Sequence, residues 1–214
     1  MSLTITKKAR RGRPKDAVRF EAKKREILRA AAQCFGKYGY AQTDVNLIAQ
    51  DIGITKGTIY HYFGSKEKLF FETVDAEALR MKTAVLEAAD QHEDPLEEMI
   101  AVVRSYLEFA EANPHFVELL IEERSTFKDR DQHTYFIHRD TTLPRWHRSI
   151  ELLIQQGRAR SCDPEKFIAV LSDTLYGTIF ANYFTHSSIS AVEQSNTIID
   201  IVFNGILIEP LSTH

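Results

Sequence analysis

Between a few prolines and glycines, the apolar residues of this chain recur three and four apart almost from end to end, and that periodicity restricts the fold more than any other feature. Such spacing gathers apolar side chains on one face of a helix, whereas a half-buried strand would alternate them. The chain therefore reads as all-α, with no strand required. Pro95, Pro114 and Pro164 each fall where a first helical turn tolerates a residue without an N–H. Pro144 lies inside a periodic stretch and is expected to kink or divide its helix.

About nine helices follow. The first runs over 16–37, with Ile27, Ala31, Cys34, Phe35 and Tyr38 as its stripe and with Gly36 and Gly39 marking its end. A second starts near Asp44, capped by Thr43 or by Asp44 itself, buries Val45, Ile48, Ala49 and Ile52, and stops at Gly53. Thr55 caps a short third helix to Phe63, and Ser65 caps a long fourth from Lys66 to Ala89. The remaining five occupy 95–112, 114–125, a part of 129–156, 164–186 and 190–208. Residues 1–15, ahead of these helices, are basic and without periodicity and form an arm.

With 43% hydrophobic and 27% charged residues, the chain has the material for globular cores rather than for a disordered or fibrous protein. Its longest apolar run, 198–208, is too short to span a bilayer and is interrupted by Asp200 and Asn204. With no signal-peptide pattern at the start and only Cys34 and Cys162, neither a disulfide framework nor a cysteine-based zinc site is expected, and the cytoplasm is the expected location. The overall net charge of −3 conceals a division. Residues 1–70 carry 15 Lys and Arg against 6 Asp and Glu, a net of +9, and residues 71–214 carry 12 against 24, a net of −12. A basic end on an acidic chain points to a polyanionic partner.

The run VNLIAQDIGITKGTIYHYFG at 45–64 fits a helix-turn-helix in its constrained places: Ala49 is small where two helices approach, Gly53 stands in the turn, and Ile48, Ile52, Ile54 and Ile59 fill the wedge. Two short core helices joined by a glycine turn are the plainer alternative. In the helix-turn-helix arrangement Ile59 and Phe63 point inward, leaving Lys56, Thr58, Tyr60, His61 and, on one edge, Tyr62 around the outer surface. Hydroxyl, imidazole and ammonium groups there match phosphate oxygens and base edges, and the helix N-terminus adds unpaired N–H groups. Lys66, opening the next helix, falls near the same backbone.

The longer run FGKYGYAQTDVNLIAQDIGITKGTIYHYFGSKEKLF at 35–70 resembles the DNA-binding domain of the TetR family of bacterial transcription regulators. The shared pattern is a helix ending in Gly-Tyr, a Thr-bearing helix start, the helix-turn-helix, then Tyr-x-x-Phe with a Lys soon after. The resemblance implies an all-helical homodimer: a three-helix DNA-binding head at 16–65 on a larger body at 66–214 that binds a small-molecule effector. It implies double-stranded operator DNA as partner and contacts at Thr43, Asn46, Thr55, Lys56, Thr58, Tyr60, His61 and Lys66. Asp44 departs from the pattern, which often has a second Thr, and its carboxylate would repel a phosphate, so it is not among the expected contacts.

Arg11-Gly12-Arg13-Pro14 within KKARRGRPK resembles an AT-hook core, so Arg11 and Arg13 are expected at DNA, either reading a narrow minor groove or only adding phosphate contacts. In the body, the eighth and ninth helices are apolar over wide arcs: Phe167, Ile168, Leu171, Leu175, Tyr176, Ile179, Phe180, Tyr183 and Phe184, then Val192, Ile198, Ile199, Val202, Phe203, Ile206 and Leu207. A second copy of the chain is the simplest cover for the outer faces, and a fully buried monomer core is the alternative. Tyr106, Phe109, Phe116, Tyr135, Trp146, Tyr176 and Phe180, with Leu120 and Tyr183, are candidates to line an effector pocket or to be plain core. His133, His138 and His147, near Asp140 and Glu151, do not repeat a helical ligand spacing, so no metal or other cofactor is expected. No G-x-S-x-G, H-E-x-x-H, P-loop or Rossmann glycine pattern occurs, and the chain reads as no enzyme. The expectation is a ligand-responsive repressor; an architectural DNA-binding protein without an effector is the alternative, against which the acidic body speaks.

Overall fold

A computed structural model describes residues 14–205, and among them the chain forms ten α-helices and no strand. They are α1 (Pro14–Gln42), α2 (Val45–Asp51), α3 (Lys56–Phe63), α4 (Lys66–Ala89), α5 (Pro95–Ala112), α6 (Pro114–Thr126), α7 (Thr134–Asp140), α8 (Leu143–Gln155), α9 (Pro164–Thr185) and α10 (Ala191–Asn204). The eighth and ninth helices of the sequence reading are α9 and α10. The extra helix arises where division was expected. Pro144 occupies the first turn of α8, where its ring is incompatible with a helical carbonyl at Asp140, so the chain breaks at Thr141 and Thr142. Arg11 and Arg13, and Ile206 and Leu207 at the other end, lie outside the described residues.

Most helix starts are fixed by one local device. Asp44, Thr55, Ser65, Asp94, Asp163 and Ser190 each stand in extended backbone and accept a hydrogen bond from an N–H of the following turn. Gly53, at φ 64°, makes the turn between α2 and α3 that a residue with a Cβ would strain. Two expectations at the end of α1 are corrected. The helix runs through Gly36 and breaks at Gly39, φ 72°; Gly36 is instead a contact glycine, because a Cβ there would stand 2.6 Å from that of His115 on α6. Tyr38 is 43% exposed rather than part of the buried stripe, and the Lys37 ammonium lies 5.0 Å from its ring centre.

The head packs Ile27, Ala31 and Phe35 of α1 against Val45, Ile48 and Ala49 of α2 and Ile59 and Phe63 of α3. Leu69 and Phe70 of α4 complete this core; Phe70 meets Phe35 edge-on at 5.2 Å. Burial of each such large side chain contributes about 1.5–3 kcal/mol. Because α4 closes the head and then continues into the body, no linker separates the two at residue 65.

Helix α6 is the second tie. Its Glu122 accepts a hydrogen bond from the Tyr40 N–H, 3.0 Å, just after the break at Gly39, and its neighbour Glu123 turns the other way. Glu123 is fully buried and accepts from the backbone N–H and hydroxyl of Thr134, at 3.2 and 2.6 Å, and from Arg130, so it holds the start of α7. Phe127 at the end of α6 packs against Tyr40, Phe70 and Phe71. In the body, α9 buries Ile168, Leu171, Leu175 and Ile179 and α10 buries Ile198, Ile199 and Phe203. Their opposite faces leave Val170 61%, Phe184 65%, Val192 53% and Ile201 68% exposed.

Candidate functional site

Ile59 and Phe63 are buried and fix the rotation of α3, which turns His61 fully outward and leaves Lys56, Thr58, Tyr60 and Tyr62 half-buried around it. Thr55 caps the helix: its Oγ1 accepts from the Thr58 N–H at 3.2 Å and lies 3.0 Å from the Thr58 hydroxyl. Gly57 has only that Thr55 oxygen within 4 Å of where a Cβ would stand, so the first turn of α3 is open to close approach by an anion. Asn46, exposed on α2, adds its amide to the same side. Thus Asn46, Thr55, Lys56, Thr58, Tyr60 and His61 come together on one surface.

Three neighbours modify the expected picture. Thr43 is buried, and its hydroxyl donates inward to the carbonyls of Gly39, 2.7 Å, and Cys34, 3.2 Å; it ties the end of α1 and is not a surface group. Tyr62 stacks on Phe20 of α1, ring centres 4.4 Å apart, and so faces along the head rather than outward. Lys66 donates to the Ala41 carbonyl at 3.2 Å with its ammonium 4.8 Å from the Tyr40 ring centre, and burial lowers its pKa.

Asp44, set aside on the sequence, belongs to this surface. The Asn46 backbone N–H holds its carboxyl below the usual range, and Lys56 Nζ lies 3.5 Å from it. The exposed pair contributes little to stability, but its carboxylate competes with any phosphate for Lys56. A cap position followed by a lysine twelve residues on gave no signal of this contact in the sequence.

A cavity of about 80 Å³ lies between α4, α5, α7, α8 and α9. Of the expected lining residues Tyr106, Tyr135 and Trp146 border it. Phe109 instead borders a charged cleft of about 670 Å³ between α1, α4 and α5. Phe116 and Leu120 are buried in the core, Tyr183 borders a separate groove beside α10, and Tyr176 and Phe180 stack in sequence behind Tyr135. The correction has one cause. On α9 the cavity is bordered by Ile168, Leu171, Ser172 and Leu175, so the rings of that helix lie on another face. The Tyr106 and Tyr135 hydroxyls are 3.0 Å apart; burial pushes Tyr106 well up and Tyr135 up to about 12, so both phenols keep their protons at neutral pH.

The histidines separate: His138 Nε2 is 2.8 Å from Asp75, His133 buries Nδ1 without a partner, and His147 borders a shallow cleft near α9. Among the described residues, no group of three or more His, Cys, Asp or Glu is placed to hold a metal, and no helix is long and apolar enough to cross a membrane.

Residues 27–73, which span α2, α3 and the parts of α1 and α4 that build the head core, match the family model of bacterial regulatory proteins of the tetR family. A HTH-type transcriptional repressor of Mycobacterium tuberculosis is 40% identical over 60 residues, 28% of this chain and 32% of the relative. The chain spans about a third of the length of the first curated relatives it matches. An uncharacterized HTH-type transcriptional regulator of Bacillus subtilis is 28% identical over 158 residues, covering 74% of this chain and 83% of that one. The whole fold is similar to the crystal structure of the TetR-family regulator PfmR of Thermus thermophilus, with a TM-score of 0.67 at 22% identity over 86% of this chain and 98% of that one.

Proposed function

From the premise that the chain belongs to the TetR family through its amino-terminal domain, we propose that it is a cytoplasmic DNA-binding transcriptional regulator, a repressor released from a palindromic operator by a small-molecule effector. The observation that carries this reading is the outer face of α3, where Lys56, Thr58, Tyr60 and His61 surround an open first helical turn while Ile59 and Phe63 lock the helix from behind. Such a helix presents donors to phosphate and base edges at the entrance of a major groove. Residues 1–70, the arm and head together with the first residues of α4, carry a net charge of +9, which supplies attraction to the duplex.

One such helix reads few bases. The exposed apolar faces of α9 and α10 support a homodimer, which sets two recognition helices at half-sites about 34–36 Å apart or a multiple of it. An effector in the body cavity favours a different head separation, and DNA affinity falls by the coupling energy, typically about 1–3 kcal/mol. Helix α4 runs from the cavity wall to the head, and α6 ties the head at Tyr40 to the start of α7, another wall; these are the parts through which this coupling passes.

Selection of binding sites from a random duplex pool at two salt concentrations tests the reading. A palindrome of fixed half-site spacing is expected. Enrichment of A·T-rich DNA without a palindrome would replace the regulator with an architectural binder led by the basic arm.

A further inference from the structure

The body cavity has a charge character opposite to that of its surroundings. Residues 71–214 carry a net charge of −12, yet among the described residues no carboxylate lines the cavity, and its basic lining residues are Lys82, His138 and Arg139. Two of these are engaged by acids outside it: His138 with Asp75 at 2.8 Å and Arg139 with Asp140 at 2.9 Å. Lys82 Nζ donates to the Thr141 hydroxyl at 2.8 Å and forms no ion pair among the described residues, so two of its three ammonium protons remain for another acceptor. Inward from this rim the walls are apolar, with Met81, Val85, Met99, Trp146 and Leu171 among them, and the Tyr106 and Tyr135 phenols share a single hydrogen bond within them.

Size narrows the occupant. At about 80 Å³ the cavity is half the roughly 150 Å³ of an apolar cavity that accepts benzene, and holds about three groups of water or methylene size. A ring does not enter without side-chain movement, whereas a short aliphatic chain does. An ammonium head is repelled by the Lys82 ammonium, and an uncharged head leaves that ammonium without a counter-ion. We propose that the cavity binds the tail of a short aliphatic monocarboxylate whose carboxylate pairs with the Lys82 ammonium. The inference deepens the effector reading and rests on it for the ligand's role in regulation, though not for its binding.

Calorimetric titration of the full chain with butanoate, butan-1-ol and butylamine tests it, using wild type, Lys82→Met and Lys82→Arg. Butanoate, with three carbons beyond its carboxylate, is expected to bind wild type most tightly of the three, to lose at least tenfold in Lys82→Met, and to recover in Lys82→Arg. Butylamine binding as tightly as butanoate, butanoate binding unchanged in Lys82→Met, or no butanoate binding at millimolar concentration each overturns the proposal. Affinity for a selected duplex, measured with and without butanoate, separates the two readings. Lys82-dependent binding that leaves DNA affinity unchanged sustains the carboxylate site and removes the effector role.

Discussion

Head and body solve the same packing problem with opposite residues left over. In the head, α1, α2, α3 and the start of α4 bury Ile27, Phe35, Ile48, Ile59, Phe63 and Phe70, and what remains outside on α3 is polar and basic: Lys56, Thr58, Tyr60, His61. In the body, α9 and α10 bury one face each and leave Val170, Phe184, Val192 and Ile201 in solvent, while the interior keeps a gap between α4 and α9. A surplus of donors on a finished core marks a surface for a polyanion. A surplus of apolar faces around an unfinished core marks a surface for another chain and a space for a small molecule.

The comparison breaks if head and body are independent units, and Phe35→Ala tests this with the largest effect. Phe35 is wholly buried against Phe70 of the shared α4, so truncation is expected to cost about 3–5 kcal/mol and to lower a single cooperative urea transition. Two separate transitions would show that α4 does not join the cores. Next in size, Tyr60→Ala is expected to weaken binding to a selected duplex by about 1–3 kcal/mol, measured by anisotropy, with little change in melting temperature. Unchanged affinity would move the recognition surface off α3.

Glu122→Ala sharpens the joint. The Tyr40 N–H loses its acceptor, at a cost of about 1–2 kcal/mol, and its amide is expected to exchange faster with deuterium while amides within α9 keep their protection. Lys66→Ala is expected to weaken every duplex alike and to lower the salt slope by about one, because its ammonium sits beside the interface on the Ala41 carbonyl rather than on α3. The smallest change is Asp44→Asn. Asparagine keeps the helix cap, so stability stays within about 0.5 kcal/mol, while loss of the carboxylate beside Lys56 is expected to tighten duplex binding a few-fold at low salt.

What the sequence made legible follows the range of the force involved. Asp44, Thr55, Ser65 and the prolines act within one helical turn, and the helix borders they set are those observed. Gly36, Thr43 and Tyr38 were misplaced because their settings depend on His115, on the turn at Gly39 and on where the packed faces end, none of which is local. The cavity was least legible. Aromatic residues at helical spacing look alike whether they fill a core or border a space, and Lys82 reads as an ordinary solvated position of α4 until Thr141 and the empty volume beside it are known.

The two acids of α6 carry a last implication, for the lengths of chain this architecture tolerates. Consecutive residues on a helix point about 100° apart, and here one of the pair latches Tyr40 in the head while the other latches Thr134 at the start of α7. Exchange of one side chain disturbs one latch. Insertion or deletion of a single residue between Pro114 and Glu122 turns both acids off their partners together, so the architecture fixes the number of residues in this segment.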